Sequence, residues 1–130
     1  MTTSPTRRPR ILIVEDEQDG ADILRTLLEL VGYEVDVAYD GPEGVAKALR
    51  WRPEVVLCDI GLPGLDGYGV AQRLRRNPAT AATPLIAITA WGEEEDQRRG
   101  RDSGFDHYLV KPADPQQLLR LLAAFASSCL

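Results

Sequence analysis

The sequence predicts an α/β fold: five parallel strands in the doubly wound order 2-1-3-4-5, with five helices on both faces of the sheet. Five short apolar segments alternate with five stretches of helical pattern, and such alternation is typical of parallel sheets. Three segments are apolar throughout, as expected for strands covered on both faces. The other two contain polar residues and belong at the edges, and right-handed crossovers then leave this strand order.

The edge strands are recognised by their polarity. The second segment alternates Val35, Asp36 and Val37, and the fifth begins with a polar residue, His107. A period of two indicates a strand with one face exposed. In chain order the predicted strands are ILIV (11–14), VDVAY (35–39), VVLCDI (55–60), LIAIT (85–89) and HYLV (107–110).

The first two helical stretches have clear boundary residues. Gly32 is a natural stop for the first, and Pro42 suits the first turn of the second. Apolar residues at helical spacing predict the faces turned toward the sheet. These are Ile23, Leu24, Leu27, Leu28 and Val31 in the first stretch, and Val45, Ala46 and Leu49 in the second.

The third and fifth stretches begin with capping residues. Asp66 is a predicted N-cap for the third. Asp114, Pro115 and Gln117 suit the N-cap, first and third positions of the fifth. The predicted inward residues are Val70, Ala71 and Leu74 in the third, and Leu118, Leu119, Leu121, Leu122 and Phe125 in the fifth.

The fourth stretch, residues 92–104, has almost no apolar residue. Acidic residues lead and arginines follow, an order that suits the helix dipole. Gly100 in its interior costs about 1 kcal/mol relative to alanine. We therefore expect this helix to be the most weakly held element, with less hydrogen-exchange protection than the fifth helix.

Length and composition indicate one globular domain. The chain has 130 residues, 44% of them hydrophobic and 27% charged. We expect a disordered tail over residues 1–9, the domain over 10–126 and a short C-terminal tail over 127–130, with no output domain. A net charge of −5 disfavours direct nucleic-acid binding.

Other sequence features predict a cytoplasmic protein without membrane association. No apolar run reaches the roughly 18 residues needed to span a bilayer, and the first residues do not form a secretory signal. The two cysteines, Cys58 and Cys129, are not expected to form a structural disulfide, which fits a reducing compartment.

Acidic side chains follow two strands that neighbour each other in the predicted sheet. Glu15 and Asp16 come after the first strand, and Asp59 ends the third. In this order the ligand crevice lies between these strands, at their carboxyl ends. Two like charges about 4 Å apart cost about 4 kcal/mol at an effective dielectric constant of about 20. Such oxygen ligands suit Mg²⁺ or Mn²⁺.

Two further strands direct polar groups to the same edge. Thr89 ends the fourth strand, and Lys111 follows the fifth. Lys111 is one of only two lysines, the other being Lys47. Each residue alone has an ordinary structural explanation, as a turn, cap or loop residue. Together, a carboxylate, a metal site, a hydroxyl and an ammonium suit phosphoryl transfer to Asp59.

Four motifs carry a resemblance to a known family: "ILIVEDE", "VVLCDIGLPGLDGYGV", "PLIAITAW" and "HYLVKP". From about residue 10 to residue 125, the sequence closely resembles the receiver domain of two-component response regulators, and in particular the chemotaxis regulators of flavodoxin-like fold. The resemblance covers nearly the whole chain.

The resemblance implies a role for each site residue. Asp59 would be the phosphoacceptor. Thr89 would hydrogen-bond the phosphoryl group. Lys111 would form an ion pair with it, and a cis Lys111–Pro112 peptide would position this lysine. Tyr108 would change rotamer on activation. The implied metal ligands are Asp16 and Asp59 through side chains, Glu15 through water and Gly61 through its carbonyl.

The resemblance also implies partners. A histidine kinase or a histidine phosphotransfer protein would supply the phosphoryl group. The surface of the fourth helix, fifth strand and fifth helix would then switch, for a downstream protein target or a phosphorylation-dependent homodimer. The chain would be a signalling domain that catalyses its own phosphorylation and slow dephosphorylation, not an enzyme. The sequence does not tell a stand-alone regulator from a receiver that is part of a hybrid kinase or larger regulator.

Three positions depart from common family residues. Glu15 stands where many members have aspartate. Gly61 and Trp91, two residues after Asp59 and Thr89, occupy positions that tune hydrolysis in the family. Gly61 offers no side chain to position water, and Trp91 could cover the site, so we predict a long phosphoryl lifetime. The equal alternative is that Trp91 packs on the fourth helix.

Other functions fit the sequence less well. A flavin-binding domain would need a hydroxyl-rich phosphate loop after the first strand, where this chain has "EDEQDG". A phosphoryl-transfer hydrolase would need a general acid at Gly61. A pseudo-receiver that only binds a partner would have lost an acid, Thr89 or Lys111, and none is missing.

Overall fold

The computed structural model describes residues 8–126, in which strands and helices alternate along the chain. All five strands are parallel and pair in the order β2-β1-β3-β4-β5, which confirms the predicted topology. The elements are β1 (Arg10–Val14), α1 (Gln18–Leu30), β2 (Glu34–Ala38), α2 (Gly41–Trp51), β3 (Val55–Cys58), α3 (Gly67–Arg76), β4 (Leu85–Thr89), α4 (Glu94–Ser103), β5 (His107–Val110) and α5 (Pro115–Ala126).

The predicted strand ends are accurate to within two residues. β4 and β5 have the predicted bounds, whereas β1 and β2 each begin one residue earlier because Arg10 pairs with Glu34. β3 ends at Cys58, before the two residues that the prediction added. Asp59 therefore lies just beyond the strand, although its N–H still donates to the Val14 carbonyl at 2.9 Å.

Side chains on the two faces of the sheet build two separate cores. Leu12 and Val14 of β1 point into one core, and Ile11 and Ile13 point into the other. The first core is closed by α2, α3 and Phe105, and the second by α1 and α5. β3 and β4 are buried throughout and β1 is buried after Arg10, as expected for a parallel sheet covered on both sides.

The inward faces of α1 and α2 differ in part from the prediction. Ile23 and Val31 are 73% and 53% exposed, because Ala21 and Leu28 face the sheet. Ile23 follows Ala21 by two residues, which turns it about 200° around the helix. In α2, Ala46 is exposed, and the buried helix residues are Gly41, Gly44 and Ala48.

The caps and faces of α3 and α5 agree with the prediction. The Asp66 side chain accepts from the Gly69 N–H, and that of Asp114 accepts from the Gln116 N–H at 3.1 Å. The apolar side chains of α3 and α5 are buried or half-buried against the cores, namely Val70, Ala71, Leu74, Leu118, Leu119, Leu121, Leu122 and Phe125. α4 buries only Gly100 and Ser103, in line with its polar sequence.

Three predictions concern residues outside the described part of the chain. The tail over residues 1–9 lies mostly outside it, and the tail over 127–130 and Cys129 lie wholly outside it. Among residues 8–126, every helix is too short or too polar to cross a bilayer.

Candidate functional site

The three predicted acids meet where β1 and β3 end side by side. Val14 pairs with Cys58 in register, and Glu15 and Asp59 directly follow these two residues. One carboxylate oxygen each of Glu15, Asp16 and Asp59 lies within 4.8 Å of the others. The parallel pairing thus brings together side chains 44 residues apart in the chain, as the sequence predicted.

The three carboxylates differ in their surroundings. Glu15 is buried and its Oε2 accepts from the Glu17 N–H at 3.2 Å. The Asp59 Oδ1 accepts from the Ile60 N–H at 2.6 Å, and Asp16 is exposed. Burial raises the pKa of Glu15, and the hydrogen bond from Lys111 opposes that shift. The cluster therefore has a desolvated side and a side open to solvent.

Lys111 hydrogen-bonds two of these acids. Its Nζ lies 2.6 Å from Glu15 Oε1 and 3.1 Å from Asp59 Oδ2. Its backbone N–H donates to the Thr89 carbonyl at 2.8 Å, and the Lys111–Pro112 peptide is cis, as expected. Burial lowers the pKa of Lys111, but the hydrogen bonds to Glu15 and Asp59 outweigh burial and raise the pKa above its usual value.

The donor set suits a divalent cation. Three carboxylates face one ammonium, which leaves an excess of negative charge when all are ionised. All three acids offer hard oxygen donors, which Mg²⁺ prefers. Glu15, Asp16 and Asp59 therefore fit the predicted metal site.

Thr89 and Trp91 connect the end of β4 to the loop that follows β3. Thr89 is buried, and its Oγ1 accepts from the Trp91 N–H at 3.3 Å. The Trp91 ring lies against Gly61: a Cβ added there would be 3.3 Å from Cζ2 of the ring. Trp91 is 44% exposed. The ring is thus beside the loop that carries Asp59, and its effect on water access stays a prediction.

Tyr108 joins the same group of residues. Its hydroxyl donates to the Trp91 carbonyl at 2.7 Å. Its ring covers Gly100 of α4, where an added Cβ would lie 2.7 Å from Cδ2 of the ring. Burial, and then the neighbouring Tyr68 hydroxyl, raise the pKa of Tyr108 above its usual value. The structure thus links Tyr108 to Thr89 through the backbone of Trp91.

The sequence assigned no role to Tyr68, which contacts α4 at two points. Tyr68 is 2% exposed, and its hydroxyl donates to the Asp96 carbonyl at 3.1 Å. The Arg99 guanidinium lies 4.3 Å from the centre of its ring. The only sequence signal was a polar hydroxyl on the inward face of α3, since buried tyrosines need a hydrogen-bond partner.

A cavity of about 530 Å³ reaches the site from the side of α1 and α5. Asp59 and Lys111 are part of its wall, and the rest is mainly apolar. The apolar lining includes Leu24, Leu27, Pro115 and Leu118. The Asp59 side chain thus borders this cavity.

Comparisons with known proteins agree on one family. A family model described as "Response regulator receiver domain" matches residues 11–123. The chain is 42% identical to the DNA-binding dual master transcriptional regulator RpaA of Synechocystis and 41% identical to the response regulator ArlR of Staphylococcus saprophyticus, over 89% and 88% of its length. These matches span 48% and 51% of the two relatives, so the chain corresponds to about half of each.

A solved structure extends the comparison to the fold. The receiver domain of a sensor histidine kinase from Pseudomonas aeruginosa superposes with a TM-score of 0.86 at 31% identity. The match covers 93% of this chain and 99% of that one. That crystal structure has a magnesium ion coordinated in its active-site cleft.

Proposed function

Because the chain belongs to the receiver domains of two-component response regulators, we propose that Asp59 accepts a phosphoryl group that switches a protein-binding surface. The observation that carries this proposal is the position of Asp59. Its carboxylate lies 3.1 Å from the Lys111 ammonium, and one of its oxygens lies within 4.8 Å of oxygens of Glu15 and Asp16.

The proposed reaction is a transfer from phosphohistidine to Asp59. A carboxylate oxygen of Asp59 attacks phosphorus in line, an acyl phosphate bond forms, and the P–N bond breaks with its electron pair returning to the imidazole. The Ile60 N–H orients the carboxylate through Oδ1. Lys111 lies at Oδ2, where its ammonium can neutralise a phosphoryl oxygen.

The cation is part of this proposal. Glu15, Asp16 and Asp59 would hold Mg²⁺ or Mn²⁺, together with the Gly61 carbonyl that the family resemblance implies. A bound divalent ion would supply positive charge to the phosphoryl oxygens. Asp59 also needs it because like charges from Glu15 and Asp16 otherwise repel an incoming phosphate.

The switch would start at Thr89 and reach the surface of α4, β5 and α5. The Thr89 hydroxyl would turn to the new phosphoryl group and give up the hydrogen bond from Trp91. Tyr108 is bonded to the carbonyl of the same Trp91 and packs on α4. A rotation of the Thr89 side chain would therefore alter the contacts of Tyr108 and shift the position of α4.

The proposed partners follow from this chemistry. A histidine kinase or a histidine phosphotransfer protein would enter from the side of the apolar cavity at α1 and α5. The output would be a contact with a downstream protein or a phosphorylation-dependent homodimer, in the cytoplasm and without direct DNA binding by this domain. The domain would turn over no substrate other than its own phosphoryl group. A pseudo-receiver remains the second candidate, and the intact set of acids, Thr89 and Lys111 argues against it.

Phosphorylation can be tested directly. The protein is incubated with Mg²⁺ and acetyl phosphate, and the labelled residue is located by mass spectrometry. We expect one label on Asp59, none after Asp59→Asn, and a normal label after Asp36→Asn, which changes an aspartate of β2. A label on another residue, or one that survives Asp59→Asn, would contradict the proposal.

A further inference from the structure

The polar helix α4 is held by side chains that other elements supply. Within residues 8–126, α4 buries only Gly100 and Ser103 of its own. Tyr68 of α3 and Tyr108 of β5 contact it, and Arg75 of α3 donates to the carbonyl of Gly104 just after it. The position of α4 therefore depends on a few specific contacts and not on a broad apolar face.

Tyr68 makes the contact nearest the beginning of α4. Its hydroxyl donates to the carbonyl of Asp96, in the first turn of the helix. A carbonyl oxygen has two lone pairs, so this bond does not compete with the helix's own hydrogen bond. The Arg99 guanidinium over the ring adds a cation–π contact one turn later. A shift of α4 by an ångström or more would break the hydroxyl bond.

Tyr68 is also tightly joined to the chain around Asp59. The neighbouring Gly67 donates its N–H to the Ile60 carbonyl at 2.8 Å. A Cβ added at Gly67 would lie 2.3 Å from the backbone oxygen of Asp59, so the start of α3 is pressed onto the phosphoacceptor residue. Because this packing is close, a displacement of the Asp59 backbone would also displace the start of α3, which carries Tyr68.

The contacts described here belong to an Asp59 with a free carboxylate. Lys111 Nζ is paired directly with Asp59 Oδ2 at 3.1 Å. A phosphoryl group on Asp59 would take one carboxylate oxygen into an acyl phosphate bond and offer its own oxygens to Lys111. The bond between Tyr68 and Asp96 is thus observed with Asp59 unphosphorylated.

We propose that the Tyr68 hydroxyl is a positioning group that holds α4 in its unphosphorylated place, so that its removal makes phosphorylation more favourable. This inference rests on the proposed function. A contact present in only one of two states biases the equilibrium between them by its own free energy. By reciprocity, weakening that contact strengthens binding of whatever favours the other state.

The test uses beryllium fluoride, an inorganic phosphoryl mimic, in the presence of Mg²⁺. Its affinity for the wild type and for Tyr68→Phe is measured by two-dimensional NMR. We expect Tyr68→Phe to bind the mimic about two- to tenfold more tightly, the range of one neutral hydrogen bond. Affinity for Mg²⁺ alone should not change, and the α4 amides should exchange faster while those of α5 do not.

Two pairs of variants distinguish a specific effect on the position of α4 from a general loss of packing. The pairs are Tyr68→Phe with Tyr33→Phe, and Arg99→Ala with Arg98→Ala. Tyr33→Phe removes a half-buried hydroxyl near the second core and should leave the affinity unchanged. Arg99→Ala removes the cation over Tyr68 and should shift the affinity in the same direction as Tyr68→Phe. Arg98→Ala removes only an exposed pair with Glu95 and should not. If Tyr68→Phe does not fold, Arg99→Ala decides the question.

The two proposals fail in different ways. Wild-type protein that neither binds the mimic nor is labelled on Asp59 would overturn the proposed function and this inference with it. Wild-type protein that binds the mimic, with an affinity that Tyr68→Phe leaves equal or lowers, would overturn the role of Tyr68 alone.

Discussion

The Lys111 ammonium contacts the carboxylates of both Glu15 and Asp59. Lys111 lies 2.6 Å from Glu15 and 3.1 Å from Asp59, and both acids are largely buried. Glu15 thus has an ammonium partner in spite of a desolvation that raises its pKa.

Trp91→Ala should shorten the lifetime of phosphorylated Asp59 several-fold. The ring lies against Gly61, which has no side chain of its own to exclude water from the site. The rate is measured as loss of the label after the phosphodonor is removed. Trp51→Phe, which alters the other tryptophan, serves as the control. If Trp91→Ala leaves the rate of dephosphorylation unchanged, the ring does not shield the site, and the alternative that Trp91 packs on α4 is favoured.

Tyr108→Phe should change the alkaline pH dependence of stability. Burial, and then the neighbouring Tyr68 hydroxyl, raise the pKa of Tyr108 above 10.0, so folding favours the neutral phenol. The contribution is complete below pH 10.0 and is lost as pH rises toward the folded-state pKa. Urea unfolding on either side of pH 10.0 should show a smaller loss of unfolding free energy in the variant than in the wild type. Parallel curves would contradict the assignment.

At the scale of elements, neighbouring helices and strands supply what the sequence of α4 lacks. Gly100 allows the Tyr108 ring to approach the helix backbone, and Arg75 joins the end of α4 to the start of β5. Arg75 donates to the carbonyls of Thr83 and Gly104 and to the Asp106 carboxylate. Gly100 lowers the intrinsic helix propensity of α4, but the contact with the Tyr108 ring requires a residue without a side chain at this position.

Gly100→Ala should have different effects on stability in two backgrounds. In the wild type, the new Cβ would lie 2.7 Å from the Tyr108 ring and displace it, which offsets the higher helix propensity of alanine. In a Tyr108→Ala background the space is open, and the substitution should stabilise the protein by about 1 kcal/mol. Urea unfolding of the four proteins forms a double-mutant cycle. Equal effects in both backgrounds would show that the ring does not limit this position.

At the scale of the whole molecule, negative charge is concentrated where a cation would bind. The net charge is −5, and three acids meet at one edge of the sheet. A bound cation would both relieve their repulsion and stabilise the folded chain by mass action. The three carboxylates stay close together in spite of their repulsion, because the pairing of β1 with β3 fixes the backbone on which they stand.

Asp16→Asn should separate stability from metal binding. Without metal, the variant should be at least as stable as the wild type, because one like charge is removed from the cluster. Mg²⁺ at about a hundred times its dissociation constant should stabilise the wild type by about 2.7 kcal/mol and the variant by much less. Thermal unfolding with Mg²⁺ or with a chelator measures both effects. Asp22→Asn, in an exposed part of α1, should respond to Mg²⁺ like the wild type.

The sequence by itself determined the strand order, the N-caps of α3 and α5, and the meeting of Glu15, Asp16, Asp59 and Lys111. These features follow from local patterns and from one rule of parallel sheets, that ligand sites lie at the carboxyl ends of strands where the winding reverses. Residues that end neighbouring strands must meet, whatever their distance along the chain.

Only the tertiary structure decided which side of α1 is buried, where the Trp91 ring lies and what holds α4. Periodicity reports that a helix has an apolar face, but Ile23 is exposed because the direction of the face depends on what packs against it. Tyr68 reaches Asp96 across 28 residues, a contact made by the packing of α3 on α4. Such contacts depend on the relative placement of two elements, which no local pattern contains.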